Sequence, residues 1–352
     1  MIRILIADDS IVVSVLLKTI FEQEPDMEVV GQARNGQEAV DMVRELRPDI
    51  VTMDIRMPVM DGFEATHRIM SEAPLPIVVI STSVNNEEMN TTFRALEEGA
   101  LAVIEKPVGI SHPDFESNRR DLVNTVRAMS EIQVVRRRRT GGAHQELRND
   151  TRPSPAARHA PELVAIGCST GGPQALLGLL KGLPPDFPLP ILITQHMTKG
   201  FVGGLVSWLQ KHAALHISLA ADGGLLEPGY VYFAPDDCHL LVERGPLGLR
   251  LRLDHGAPFG GLRPSVSRLF HSVAHATRGA AVGVLLTGMG EDGADGMLAM
   301  RKAGCRTMVQ DNASSVVYGM PGAALAIDAV DEVVAIGKMS AHLTEIVAAH
   351  MV

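Results

Sequence analysis

Short runs of apolar residues, each ending on a polar or small residue and followed by helical spacing, recur along the 352-residue chain. In the first third, Ile2–Ala7, Asp49–Met53, Pro76–Ile80 and Val103–Glu105 predict buried strands, and Ser10 stands where a helix N-cap is needed. From residue 162 onward, Leu163–Ile166, Pro190–Gln195, Val282–Leu286 and a last short run, Met308–Gln310, predict strands. Gln174–Leu180, Pro264–Arg278 and the chain from Met320 predict helices. Tyr230–Ala234 and His239–Glu243, four residues apart, predict an antiparallel pair. Leu249–Leu253 alternates strictly, as a half-exposed strand does. The second domain is therefore expected to be a doubly wound, mostly parallel α/β sheet with helices on both faces and a β-hairpin excursion.

The pattern breaks once. Asp114 to about Val135 reads as a helix, with Leu122, Val126, Met129 and Ile132 near helical spacing. Arg136–Arg139, Gly141-Gly142 and the prolines 153, 155 and 161 follow, a composition too poor in apolar residues to bury a core. The expected organisation is a domain over 1–135, a linker over 136–161 and a second domain over 162–352. The arginine run is read as solvated linker charge, with a contact to a receptor or nucleic acid as the alternative.

Composition narrows the class. With 46% hydrophobic and 21% charged residues, the chain can build two large cores. Its net charge of −9 argues against a duplex-binding output domain, so no nucleic-acid partner is expected. No apolar run is long enough for a membrane span, and Met1-Ile2-Arg3 leads straight into a strand, so no membrane insertion and no signal peptide are expected. Three cysteines make no disulfide framework, which suits the cytoplasm.

The strand ends carry the chemistry. In the first domain Asp8-Asp9, Asp54, Ser81 and Lys106 all fall at carboxyl ends of strands. Carboxylates packed so closely repel unless a hard cation joins them, and oxygen ligands suit Mg²⁺. The cation and an ammonium would together neutralise a phosphoryl group arriving on Asp54.

In the second domain, Gly167-Cys168-Ser169-Thr170-Gly171-Gly172 lies at a strand-to-helix turn and contains G-x-S-x-G, the pattern of a nucleophile elbow. Phosphate binding or tight packing could also explain such a turn. A nucleophilic serine needs a base and a group to orient it. Of 13 histidines, His196 follows a strand one unit after Ser169, on the same sheet edge. Asp292 sits beyond the Val282–Leu286 run, in Gly288-Met289-Gly290-Glu291-Asp292-Gly293. The order Ser…His…Asp is not that of ordinary α/β-hydrolases. Cys168 is an alternative nucleophile, though it stands where a small buried hydrophobe is usual, and Asp295 is an alternative to Asp292. His271 and His275 have metal-pair spacing but no intervening glutamate, and read as helix-face residues.

The first domain resembles the receiver domain of two-component response regulators, with Asp8-Asp9, Asp54, Ser81 and Lys106 at the matching positions. That resemblance implies a flavodoxin-like (βα)5 fold and phosphorylation of Asp54 by a histidine kinase. It also implies Mg²⁺ on Asp9 and Asp54, helped by Asp8 and the Arg56 carbonyl, and a cis Lys106–Pro107 bond. Val103 stands where many receivers carry an aromatic switch residue. End to end, the chain resembles the chemotaxis protein-glutamate methylesterases, through the Ser169 elbow, Gln195-His196-Met197 and the Gly288–Gly293 segment. This implies nucleophile Ser169, base His196, orienting Asp292, and oxyanion donors at Thr170 and Met289. It further implies hydrolysis of glutamate γ-methyl esters on chemoreceptors, with deamidation of receptor glutamines, without a cofactor for that step. A monomer is expected, whose unphosphorylated receiver partly covers the edge holding Ser169. Two other readings stay open: an esterase for another signalling substrate, and a non-catalytic phospho-dependent docking protein.

Overall fold

The computed structural model describes residues 1–81, 93, 95–96, 98–107, 109–112, 115–132 and 159–350. The chain forms two compact units, residues 1–143 and 144–352. The stretch read as a linker lies outside the described residues up to position 158, as does the arginine run.

Unit 1 contains β1 (Ile2–Ala7), α1 (Ile11–Glu22), β2 (Met27–Ala33), α2 (Gly36–Leu46), β3 (Ile50–Met53), α3 (Gly62–Glu72), β4 (Ile77–Ser81), β5 (Ala102–Glu105) and α4 (Phe115–Ser130). The strands form one parallel sheet in the order β2-β1-β3-β4-β5. β3 and β4 are buried along their whole length, which explains their unbroken apolar sequence. Ser10, Asn35 and Asp61 cap α1, α2 and α3, each accepting a backbone N–H three residues on.

Unit 2 contains β6 (Leu163–Cys168), α5 (Gly172–Lys181), β7 (Ile191–Gln195), α6 (Val202–Gln210), β8 (His216–Leu219), β9 (Tyr230–Phe233), β10 (His239–Gly245) and β11 (Gly248–Asp254). It continues through α7 (Val266–Thr277), β12 (Ala281–Leu285), α8 (Ala294–Lys302), β13 (Arg306–Gln310), α9 (Gly319–Ala326), β14 (Glu332–Val334) and α10 (Ile336–Ala348). Seven parallel strands are ordered β14-β13-β12-β6-β7-β9-β8. The chain starts at β6, builds outward through β7, then returns to β6's other side with β12. The strand order therefore reverses at β6, and such a reversal opens a crevice at the carboxyl ends.

Four expectations are corrected. Tyr230–Phe233 does not pair with His239–Glu243; it lies parallel between β7 and β8, and the hairpin is β10–β11. Burial decides this, because Val231, Tyr232 and Phe233 are all buried, as a strand inside a sheet requires. Met308–Gln310 is not the last strand, since Glu332–Val334 adds an edge beside it. The helix at the end of unit 1 stops at Ser130, short of Val135. The Lys106–Pro107 bond is not cis; the cis bond among the described residues is Arg263–Pro264. Trans is the lower-energy isomer of such a bond by about 0.5–1 kcal/mol.

α7 lies against the sheet through Val266, Leu269, Phe270 and Val273, joined by Met297 and Met300 of α8. Gly167 makes the close approach possible, because a Cβ there would come within 2.1 Å of Val266 Cγ1. Gly167→Ala is expected to destabilise unit 2 by about 1–3 kcal/mol while leaving the unit 1 transition in place. Calorimetry resolving the two transitions checks this, and an unmoved unit 2 midpoint would contradict it.

Candidate active site

Each small residue at the β6–α5 turn answers a steric demand. A Cβ on Gly172 would lie 2.0 Å from Gln195 Oε1, and Gly171 has φ of 78°. The turn places Ser169 between the ends of β7 and β12. On one side, His196 N–H donates to the Cys168 carbonyl at 2.9 Å. On the other, Ser169 N–H donates to Thr287 O at 3.0 Å, and Thr287 Oγ1 donates to Thr170 O at 2.9 Å.

The loop after β12 packs directly behind the serine. A Cβ on Gly288 would be 2.8 Å from Ser169 Cβ and 2.1 Å from Met320 Sδ. Gly288 is also tied to the segment before α9, donating to Val317 O and accepting from Met320 N–H. That segment forms part of the site's wall, with Val316 against Gly171, and was not singled out in the sequence.

Asp292 faces His196. Its Oδ2 lies 2.9 Å from His196 Nε2 and accepts Val266 N–H at 2.7 Å. Its Oδ1 accepts Ser265 Oγ–H at 2.9 Å and Ser267 N–H at 3.0 Å. These donors are the N-terminus of α7, whose N-cap is Ser265, so the helix dipole adds to the hydrogen bonds. Burial opposes ionisation of Asp292, but the His196 hydrogen bond and charge, with the Ser267 contacts, outweigh it and hold the carboxyl well below its usual range. Asp295 takes a different place, bound to Ser267 Oγ and 3.1 Å from His271 Nε2.

Since Nε2 meets the carboxylate, Nδ1 is the His196 nitrogen left for Ser169. Among the described residues, Ser169 Oγ makes no hydrogen bond, and apo sites often close this contact only with substrate. Ser169 N–H is spent on Thr287, whereas the N–H groups of Thr170 and Met289 have no acceptor among the described residues. Cys168 is fully buried, which pushes its thiol up and away from the reactive thiolate. His271 and His275 form no metal cluster among the described residues.

Unit 1 gathers its own polar set. One carboxylate oxygen each of Asp8, Asp9 and Asp54 lie within 4.8 Å of one another. Lys106 Nζ is 2.9 Å from Asp8 Oδ2 and 2.8 Å from Asp54 Oδ2. Burial pushes the Asp54 carboxyl up despite Lys106; burial also opposes the Lys106 charge, but its two carboxylate partners raise it overall. The Arg56 backbone N–H donates to Asp54. Ser81 ends β4, buried, with its carbonyl accepting Lys106 N–H at 2.9 Å. Gly62 is required here, because its Cβ would fall 2.0 Å from Asp54 O.

Residues 4–112 match the response regulator receiver domain, and residues 164–343 match the CheB methylesterase domain, so the fold is a receiver followed by an α/β catalytic domain. The chain belongs to the CheB methylesterase family. A protein-glutamate methylesterase/protein-glutamine glutaminase of Myxococcus xanthus is 46% identical over 342 residues, covering 97% of this chain and 96% of its own length. A protein of the same description from Geobacter metallireducens is 47% identical over 331 residues, 94% of each chain. The crystal structure of the Thermotoga maritima CheB methylesterase catalytic domain matches with a TM-score of 0.52 and 33% identity, covering 53% of this chain and 99% of that one.

Asp292 makes acid sensitivity testable. Its carboxyl is lowered from the ordinary 3.8, so the stability it contributes is present above that pH and is lost as pH falls below it. Asp292→Asn is expected to cost about 3 kcal/mol at neutral pH, with the gap to wild type narrowing below about pH 4. Denaturant unfolding at pH 7 and pH 3 checks this, and a gap independent of pH would contradict it.

Proposed function

We propose that this protein hydrolyses glutamate γ-methyl esters on chemoreceptors, is activated by phosphorylation of Asp54, and deamidates receptor glutamines at the same site. The observation that carries the reading is the meeting of His196 and Asp292 at 2.9 Å beside Ser169, on three neighbouring strand ends. The descriptions of the relatives supply the substrate class.

In this reading Ser169 Oγ attacks the ester carbonyl while His196 Nδ1 accepts the serine proton. Asp292 stabilises the resulting imidazolium through Nε2–H. The N–H groups of Thr170 and Met289 receive the oxyanion, and one such donor is worth roughly 10²–10³ in rate. The tetrahedral adduct collapses, His196 returns the proton to departing methanol, and a water deprotonated by His196 cleaves the acyl-enzyme to glutamate and free Ser169. With a glutamine substrate the leaving group is ammonia.

In the receiver, Asp54 is the phosphoacceptor, a histidine kinase the donor, and Lys106 and Ser81 face the incoming phosphoryl oxygens. The carboxylate set fits Mg²⁺: three oxygen donors converge, and the buried Asp8 Oδ2 has the Lys106 ammonium, 2.9 Å away, as its partner. Asp8, Asp9, Asp54 and the Arg56 carbonyl would hold it, and when bound it would neutralise phosphoryl charge. A cytoplasmic monomer with domains over 1–135 and 162–352 and a linker between is part of the same proposal. No helix among the described residues is long and apolar enough to cross a membrane.

The test is methanol release from a methylated chemoreceptor by full-length protein and Ser169→Ala, with and without acetyl phosphate and Mg²⁺. Release is expected to rise with the donor and to fall by at least about 10³-fold in Ser169→Ala. Release indifferent to Ser169 would overturn the mechanism. Phosphorylated protein that releases no methanol would point to another ester.

The receiver assignment has its own check in the absence of any substrate. Millimolar Mg²⁺ is expected to raise the unit 1 unfolding midpoint, and Asp9→Ala is expected to remove most of that rise. A rise unaffected by the substitution would place the cation elsewhere.

A further inference from the structure

Gln195 is a buried polar side chain with no part in the proposed chemistry, only 4% exposed at the end of β7. Its Nε2 donates to the main-chain carbonyl of Ser169 at 2.8 Å and to that of His196 at 2.7 Å. Its Oε1 accepts the Cys168 thiol at 3.1 Å, nearer than the thiol's other acceptor, Thr194 O at 3.9 Å. On the opposite side Gly172 lies so close that a Cβ would touch Oε1 at 2.0 Å. The amide has one sensible orientation. Turned over, its oxygen would face two carbonyl oxygens, and its NH₂ would meet a thiol that accepts only weakly.

We infer that Gln195 is a positioning residue for the hydrolytic site, its amide fixing the nucleophile and the base relative to each other while Cys168 holds the amide. The inference rests on the functional reading above. Ser169 and His196 directly follow two different strands, β6 and β7, and the last bond between the two chain segments is His196 N–H to Cys168 O at 2.9 Å. Beyond it the strands end, and a single side chain joins both carbonyls. Nucleophile and base must stay within a near-attack distance, and a displacement of about 1 Å can cost about 10² in rate. This also gives Cys168 a part other than nucleophile. Buried with its proton retained, it is a donor that only a neighbouring acceptor can use.

The experiment compares full-length wild type with Gln195→Met, Cys168→Ala and Cys168→Ser. It measures kcat and KM for methanol release, and separately the rate at which a fluorophosphonate modifies Ser169. Unfolding midpoints confirm that each variant is folded. Gln195→Met, similar in volume but unable to donate, is expected to lower kcat and the fluorophosphonate rate by roughly 10²-fold with KM within about twofold. Cys168→Ala is expected to lower both rates by about threefold to tenfold, and Cys168→Ser, whose hydroxyl still donates, to restore most of the loss. A folded Gln195→Met protein within about twofold of wild type in both rates would overturn the inference. If Gln195→Met does not fold, equal rates for Cys168→Ala and Cys168→Ser would overturn it instead. Wild type that reacts with the fluorophosphonate yet releases no methanol would sink the functional reading, and the positioning role would then stand or fall on the fluorophosphonate rates.

Discussion

The carboxylate of Asp292 sits on the N-terminus of α7, and much of the hydrolytic unit's arrangement hangs on that seat. Three donors, Ser265 Oγ–H, Val266 N–H and Ser267 N–H, close around it while His196 approaches from the side. The contact joins the loop after β12, the start of α7 and the end of β7, which are far apart in sequence. A buried carboxylate without such donors would be costly to ionise. With them it stays charged and holds the imidazole by Nε2. Buried His239 continues the support, taking Ser265 N–H on Nδ1 at 3.2 Å and contacting Ala257 O through Nε2 at 3.1 Å.

The two units use one sheet architecture for opposite electrostatic tasks. In both, a parallel sheet delivers polar residues to its carboxyl edge. In unit 1 that edge concentrates negative charge, and Lys106 spans Asp8 and Asp54 where a phosphoryl group would add more. In unit 2 the Asp292 carboxylate is held by three donors and His196, and among the described residues the N–H groups of Thr170 and Met289 have no acceptor. One edge thus suits cation-assisted anion transfer, and the other suits an oxyanion that forms and vanishes within a turnover.

Much of this was legible in the sequence because strands of a parallel sheet end where chemistry begins. Asp8, Asp54, Ser169 and His196 each follow an apolar run, and that position alone marks them. Asp292 was legible through its glycine-rich loop, whose Gly288 and Gly293 are now explained by contacts with Ser169, Leu285 and Val266. β9 shows the limit. Two apolar runs separated by four residues look like a hairpin whether or not they pair, and only burial on both faces of Tyr230–Phe233 separates the cases. Gly245 and Gly248, which bracket the true β10–β11 turn, were the available signal. Ser265, Thr287 and the Val316–Tyr318 wall were invisible for a different reason. They act through hydrogen bonds and contacts between segments far apart in the chain, and no local pattern encodes these.

The proposed function requires Ser169 to be the nucleophile, at an edge that His196 and Asp292 activate. The most direct test is to react the full-length protein with a fluorophosphonate, digest it and locate the adduct by mass spectrometry. One adduct is expected, on Ser169, and its formation slows by at least about 10²-fold in His196→Gln. An adduct on Cys168, or a Ser169 adduct forming as fast without His196, would contradict it.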